Sequence, residues 1–164
     1  MAIVGYMGSG KSTLGRLLAR ALNREFVDLD RAVVKRAGKD IPEIFAEHGE
    51  GAFRDLEHEA LLAALEGGGA PSVVACGGGV ILRPENRALL RDVTTVFLSE
   101  DSGVLYRRTR GTGRPLRAAS REEFESRYRQ RLPLYEEVAD IRVEVDGRQP
   151  SQVCEEVIWC LSRR

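Results

Sequence analysis

The residues with the clearest chemical meaning form a glycine-rich stretch close to Met1. It runs from Gly5 to Ser12 and fits the pattern Gly-x-x-x-x-Gly-Lys-Ser. The backbone N–H groups of such a loop can surround a phosphate, and a helix that starts there adds the positive end of its dipole. Lys11 can then bridge the β- and γ-phosphates, and the Ser12 hydroxyl can ligate Mg²⁺. The stretch therefore predicts binding of a nucleoside triphosphate, but it does not identify a second substrate.

Two carboxylates follow the next predicted strand. Asp28 and Asp30 flank Leu29, directly after the apolar residues Phe26 and Val27. Alternation along a strand predicts that both carboxylates lie on one side of the strand end. In a doubly wound sheet, ligands bind at the carboxyl ends of the strands. The pair suits one carboxylate near Mg²⁺ and one near an acceptor hydroxyl, and the plainer alternative is a solvated pair of loop acids.

Three further groups of residues could complete a ligand pocket. Arg54 and Glu57 lie three residues apart on a predicted helix, close enough for an ion pair. The glycine run 77–79 ends a predicted strand, and its bare N–H groups could approach a carboxylate or hydroxyl. Arg114 and Arg131 lie further along the chain. Arginine holds carboxylates and phosphates through a planar two-pronged fork, so these side chains are candidates for binding anionic groups.

The elements that position these groups alternate between short apolar strands and amphipathic helices. Strands are predicted near residues 2–4, 26–29, 72–76, 94–98 and 141–145, and helices over 53–65, 84–90, 104–108, 122–132 and 153–161, with two more starting at 11 and at 40–41. This order predicts an α/β protein with a parallel sheet and helices on both faces. Residues 109–119 lack an apolar period and predict a surface loop or lid.

Composition narrows the classes of function. The 164 residues suit one domain, and the formal net charge of zero argues against a dedicated nucleic-acid or membrane-surface protein. Cys76, Cys154 and Cys160 have spacings typical of neither a disulfide framework nor a zinc site. His48 and His58 have no metal-ligating partners at useful spacing and are interpreted as solvated. We expect no signal peptide before the first strand and a cytoplasmic location.

Taken together and in this order, the motifs resemble those of shikimate kinases. The resemblance extends from Ile3 to Leu161 and includes the glycine-rich start, Asp28-Leu29-Asp30, Phe53-Arg54 with Glu57, the glycine run 77–79, Arg114-Pro115-Leu116 and the run 131–135. It implies a single domain with a three-layer P-loop NTPase fold: a five-stranded parallel sheet flanked by helices, a lid at about 109–119 and a substrate-binding helical region at about 31–60. The implied reaction converts ATP and shikimate to ADP and shikimate 3-phosphate, a step in aromatic amino-acid biosynthesis.

The resemblance also implies a role for each matching residue. Lys11, Asp30 and Arg114 would be catalytic, with Asp30 orienting or deprotonating the acceptor hydroxyl and Arg114 neutralising the phosphates. The ATP phosphates would be held by Gly8, Ser9, Gly10, Lys11, Ser12, Thr13 and Arg114. Mg²⁺ would be supported by Ser12 and Asp28, one ion per site. Shikimate would be bound by Asp30, Arg54, Gly77, Gly78, Gly79 and Arg131.

Several assignments stay open at this point. Arg107 and Pro150 match positions near the adenine, but Arg108 and Arg110 compete with Arg107 for that place. The expected partners are ATP and shikimate, with neither nucleic acid nor membrane, and the default oligomeric state is a monomer. A kinase for gluconate or another small metabolite is one alternative, since such relatives share the glycine-rich stretch at residues 5–12, named the phosphate loop. A non-catalytic ligand-binding domain is the other, although Lys11, Asp30 and Arg114 are all present.

Overall fold

A five-stranded parallel sheet forms the centre of the molecule. The computed structural model describes residues 1–66, 70–109 and 120–164. Within them, the strands are β1 (Ala2–Val4), β2 (Glu25–Asp28), β3 (Ser72–Ala75), β4 (Thr95–Ser99) and β5 (Ile141–Glu144), in the spatial order β2-β3-β1-β4-β5. Every neighbouring pair is parallel. The predicted sheet is therefore confirmed, and β1 occupies its centre.

Helices connect the strands and cover both faces of the sheet. They are α1 (Lys11–Ala21), α2 (Leu29–Ala37), α3 (Ile41–Glu66), α4 (Pro84–Arg91), α5 (Ser102–Arg108), α6 (Arg121–Val138) and α7 (Pro150–Leu161), with a short 3-10 turn at Val80–Leu82. The long α3 is kinked at Gly49, whose φ of 78° lies outside the helical region. Among the described helices, none is long and apolar enough to cross a membrane.

Alternation along the strands divides the core into two layers. In β1, Ala2 and Val4 join one buried cluster while Ile3 joins the other. The first cluster lies under α2 to α6, and the second lies under α1 and α7, where Leu18 and Val157 are fully buried. Fully buried parallel strands need apolar side chains on both faces, which explains their short continuous apolar runs.

The strand predicted to extend through Leu29 ends one residue earlier. Asp28 closes β2, and its Oδ1 accepts the backbone N–H of Arg31 at 3.4 Å, so that it caps α2. Asp30 consequently lies in the first turn of a helix rather than on a strand. The alternation argument for the two carboxylates was therefore wrong, because an Asp at a helix start favours the cap.

Helix α6 continues six residues beyond its predicted end at 132. Pro133 stands inside the helix and removes one backbone hydrogen bond. The next turns nevertheless bury Tyr135 and Val138 completely or nearly so, and the Tyr135 ring stacks on Phe97 with centroids 5.1 Å apart. Burial of these large side chains outweighs the local preference of Pro133 for a helix break. A local sequence pattern does not show this burial, because it depends on contacts with distant residues.

One large apolar side chain lies on the exposed surface instead of in the core. Trp159, the only tryptophan of the chain, lies on α7 and is 54% exposed. The guanidinium of Arg163 lies 4.1 Å from the centroid of its ring. The two side chains form a cation–π pair near the C-terminal end of the helix.

Candidate active site

The chemically active side chains collect at the carboxyl edge of the sheet. The glycine-rich loop follows β1, Asp28 ends β2, Gly77 follows β3 and Glu100 follows β4. A cavity of about 300 Å³ lies at this edge and is named the main cavity. Its lining includes the predicted residues Gly8, Gly10, Lys11, Ser12, Thr13, Asp28, Asp30, Gly77 and Gly78. The fold therefore brings together the phosphate loop, both carboxylates and the glycine run, which come from three separate segments.

The phosphate loop holds its lysine by backbone carbonyls. Lys11 Nζ donates hydrogen bonds of 2.9 Å to the carbonyl oxygens of Gly5 and of Tyr6, and it lies 3.4 Å from Ser9 Oγ. Gly10 caps α1 in a left-handed conformation with φ of 91° and offers no side-chain acceptor. The first residues of the helix, Lys11 to Thr13, line the main cavity, and no side chain caps the helix start, an arrangement that favours phosphate binding.

A hydroxyl and a carboxylate meet beside this loop. Ser12 Oγ donates a hydrogen bond of 2.8 Å to Asp28 Oδ2. Both side chains line the main cavity next to Lys11. Mg²⁺ in nucleotide sites takes one or two protein oxygen ligands, with phosphates and waters completing an octahedron. The Ser12–Asp28 pair has the donor chemistry that such an ion requires.

Two further carboxylates lie on either side of Gly77. A Cβ on Gly77 would stand only 2.6 Å from Glu57 Oε1 and 2.9 Å from Asp30 Oδ1. Glu57 is 1% exposed, and its Oε1 lacks a hydrogen-bond partner within the described residues. Burial raises the pKa of Glu57, an effect that Arg54 opposes and that Asp30 reinforces. Glycine is required here because a larger residue would displace Asp30, which lines the main cavity, and the buried Glu57.

Arg54 is a buried cation with fixed partners. Its Nη1 donates to Glu57 Oε2 at 2.6 Å, and its Nη2 donates to Glu50 Oε1 at 3.0 Å. Burial disfavours the charged guanidinium, but these two carboxylates outweigh that effect and raise the pKa of Arg54 above its ordinary value. The predicted ion pair with Glu57 is confirmed. Glu50 was missed, although its spacing of four residues from Arg54 could have indicated it.

A second arginine approaches the glycine run from α6. Arg131 Nη1 donates to the carbonyl of Gly78 at 3.4 Å, and its guanidinium lies 5.4 Å from the centroid of the Tyr6 ring. The buried hydroxyl of Tyr135 also donates to the Gly78 carbonyl, at 2.5 Å. Arg54 reaches the same segment at Gly79. The two predicted arginines therefore converge on one glycine run from different helices, whereas Tyr6 and Tyr135 were missed because nothing in their local pattern distinguishes them from core.

A second cavity, of about 200 Å³, also borders the phosphate loop. Pro150, Ser9 and Thr13 line it, and Arg108 lines both this cavity and the main one. Arg107 belongs to the lining of neither. Arg114 and the predicted lid from residue 110 onward lie outside the described residues.

Comparison with known proteins assigns the family. A family model described as shikimate kinase matches residues 7–162.

The chain belongs to the shikimate kinase family.

Named shikimate kinases from two bacteria match almost the whole length. The one from Marinomonas sp. (strain MWYL1) is 40% identical over 169 residues, covering 98% of this chain and 91% of its own. The one from Rhodococcus jostii (strain RHA1) is 42% identical over 159 residues, covering 95% and 94%. The resemblance drawn from the motifs is thereby confirmed. Membership of this kinase family makes the chain a phosphotransferase that uses ATP.

The same family provides close structural neighbours. The shikimate kinase from Acinetobacter baumannii, solved in complex with shikimate, superimposes with a TM-score of 0.92 at 33% identity. The superposition covers 99% of this chain and 93% of that one. The predicted three-layer P-loop fold is therefore confirmed.

Proposed function

We propose that this chain transfers the γ-phosphoryl group of ATP to the 3-hydroxyl of shikimate, giving ADP and shikimate 3-phosphate. One arrangement carries the proposal: the phosphate loop, the Asp30 carboxylate and the Gly77–Gly78 backbone share the main cavity. Arg54 and Arg131 approach the same glycine run from two helices. Donor and acceptor groups would thus meet within one cavity, as direct phosphoryl transfer requires.

On this proposal, the phosphate loop binds the triphosphate of ATP. Lys11 would turn from its loop carbonyls to the β- and γ-phosphates, where its charge stabilises the transition state. Gly8, Ser9, Gly10, Ser12 and Thr13 would supply the surrounding donors. The base would lie toward the second cavity, with Pro150 on one side. Arg108 suits the other side better than Arg107, because Arg108 lines both cavities.

The Ser12–Asp28 pair would support Mg²⁺ together with the phosphates. The Ser12 hydroxyl would be a direct ligand, and Asp28 would accept hydrogen bonds from Ser12 or from a metal-bound water. When bound, the ion supplies positive charge that offsets the charge of the phosphate oxygens. Asp28 is also fixed as the cap of α2, so its carboxylate is oriented before nucleotide arrives.

The protein would bind shikimate through the substrate's carboxylate and orient it through the substrate's hydroxyl groups. Arg54 and Arg131 can each present a guanidinium to the carboxylate, with the N–H groups of residues 77–79 beside them. Asp30 would accept the proton of the 3-hydroxyl as that oxygen attacks the γ-phosphorus. The bond from this phosphorus to the bridging oxygen of ADP breaks in the same step. Arg114 would neutralise charge on the moving group from the lid.

We infer a cytoplasmic location from the need for ATP and from the free cysteines, and a monomeric state from the composition of the proposed site. ATP is available in the cytoplasm, and the three cysteines are free, two of them buried, as suits a reducing compartment. The proposed site takes every one of its residues from a single chain, so a second copy is not needed to complete it.

The test measures ADP release with Mg-ATP and shikimate, gluconate or no acceptor. We expect release that depends on shikimate and that Asp30→Asn reduces about 100-fold or more, since the acceptor loses its base and its anchor. The matched control, Asp92→Asn, changes an exposed aspartate after α4 and should leave the rate unchanged. Release with gluconate alone would refute shikimate as acceptor. Tight ATP binding without release for any acceptor would favour a non-catalytic domain.

A further inference from the structure

A buried carboxylate at the end of β4 has no role in the reaction described so far. Glu100 follows Ser99 directly, and its side chain is completely buried. Its Oε1 accepts the backbone N–H of Asp101 at 3.1 Å. Its Oε2 lies 3.1 Å from Arg108 Nη1, an ion-pair distance without hydrogen-bond alignment, and has no hydrogen-bond partner within the described residues. A carboxylate in such a place is costly unless a cation accompanies it.

The cation that accompanies Glu100 is Arg108, which lines both cavities. Arg108 stands in the last turn of α5, and 41% of its side chain is exposed to solvent. Its Nη1 also lies 3.5 Å from the carbonyl oxygen of Gly8, in the phosphate loop. The end of α5 packs on that loop, because a Cβ on Gly8 would stand 3.0 Å from Thr109 Cγ2. Glu100 and Gly8 therefore hold one guanidinium nitrogen from two sides.

We propose that Glu100 is a positioning residue for nucleotide binding: it fixes the Arg108 guanidinium across the mouth of the phosphate loop before ATP or ADP arrives. The proposal rests on the proposed function only in that the phosphate loop binds a nucleotide. A long exposed arginine loses side-chain entropy when a ligand immobilises it. The ion pair with Glu100 removes part of that loss in advance, because the folded protein already restricts the side chain.

The direction in which nucleotide affinity changes when Glu100 is replaced distinguishes positioning of Arg108 from simple charge repulsion by Glu100. A buried negative charge near a phosphate site repels the nucleotide, so removal of an inert carboxylate would tighten binding. A carboxylate that positions Arg108 acts in the opposite direction. Its removal leaves the cation present but unrestrained, and binding weakens.

The decisive experiment measures ADP affinity by titration calorimetry without any acceptor. Glu100→Gln keeps the shape and the acceptor for the Asp101 N–H, and we expect it to weaken ADP binding about three- to tenfold, the size expected for a partly exposed pair. The matched control is Glu144→Gln, at the end of β5, where the glutamate is 71% exposed and pairs with Arg142. It should leave ADP affinity unchanged. Because no acceptor is present, the outcome does not depend on shikimate being the substrate.

Two further measurements distinguish positioning from general destabilisation. In an Arg108→Met background, Glu100→Gln should cause no additional loss, and in steady-state kinetics it should raise KM for ATP but not KM for shikimate. Additive losses, or ADP binding as tight as in the unmodified protein, would overturn the proposal. Should Glu100→Gln fail to fold, NMR of the unmodified apoprotein decides: the Arg108 Nε–H group should be more ordered than that of exposed Arg107, and equal disorder would refute the idea.

Discussion

Gly79→Ala would test how tightly Arg54 is placed. A methyl group at position 79 would overlap the guanidinium, with its carbon only 2.6 Å from Arg54 Cζ. Ordinary van der Waals contact begins at 3.4 Å, so the guanidinium must move by about 0.8 Å. It cannot do so freely, because Glu57 holds Nη1 at 2.6 Å and Glu50 holds Nη2 at 3.0 Å.

The magnitude follows from this clash. Overpacking at a buried site costs about 1–3 kcal/mol of unfolding free energy, which corresponds to a fall in Tm of roughly 2–12 °C for a chain of this size. A shift of about 1 Å in a group that aligns the substrate reduces kcat/KM about 100-fold. We therefore expect kcat/KM for shikimate to fall by that factor, while the affinity for ADP changes by less than about twofold, since the phosphate loop is untouched.

The assay pairs steady-state kinetics with a thermal melt and an ADP titration. Gly51→Ala is the matched control, because it adds the same methyl group to the same helix as Arg54, where nothing lies within 4 Å. That variant should be as active as the unmodified protein and up to about 1 kcal/mol more stable. A Gly79→Ala protein with full kcat/KM for shikimate would show that Arg54 does not need its present position.

Two other predictions follow from buried titratable groups. Glu57→Gln should raise KM for shikimate about tenfold, because Arg54 keeps only the half-exposed Glu50. Burial raises the pKa of Glu57 above 4.5, so its contribution to stability is complete below that pH and is lost as pH rises through the folded-state pKa. The free energy of unfolding, measured with urea, should thus rise for Glu57→Gln relative to the unmodified protein as the pH increases toward neutral. A difference between the two proteins that does not change with pH would contradict this. Burial also raises the pKa of Cys76 to about 12, so at about pH 8 iodoacetamide should label the half-buried Cys160 in the folded protein but spare Cys76, and equal labelling by mass spectrometry would refute it.

Local sequence patterns were sufficient where one segment performs a function by itself. The phosphate loop needs only a strand, a run of glycines and a helix start, and all three are contiguous between Ala2 and Leu14. The Arg54–Glu57 pair was also predictable, since both residues lie on one helix. Apolar runs identified all five strands to within a residue or two.

Features that depend on contacts between distant segments were not predictable in this way. Glu100 resembles any polar residue after a strand, and only the packing of α5 on the phosphate loop places Arg108 against it. Tyr135 follows a proline that favours a helix end, and its role depends on Phe97 and Gly78, which lie far away in sequence. The secondary structure at Asp30 was mispredicted for a related reason, because the helix cap at Asp28 overrides strand alternation, although Asp30 lines the main cavity with Asp28.

The placement of the single tryptophan determines what can be learned from intrinsic fluorescence. Trp159 stands six residues beyond Val153, the last residue of α7 that lines the second cavity, which is roughly 9 Å along the helix. Its emission should therefore respond little to nucleotide or acceptor. The guanidinium of Arg163, two residues beyond the end of α7, lies over the exposed ring of Trp159, so the spectrum should instead report fraying of the C-terminal helix. Fluorescence of the native chain is thus a natural probe of unfolding, while binding is better followed with a labelled nucleotide.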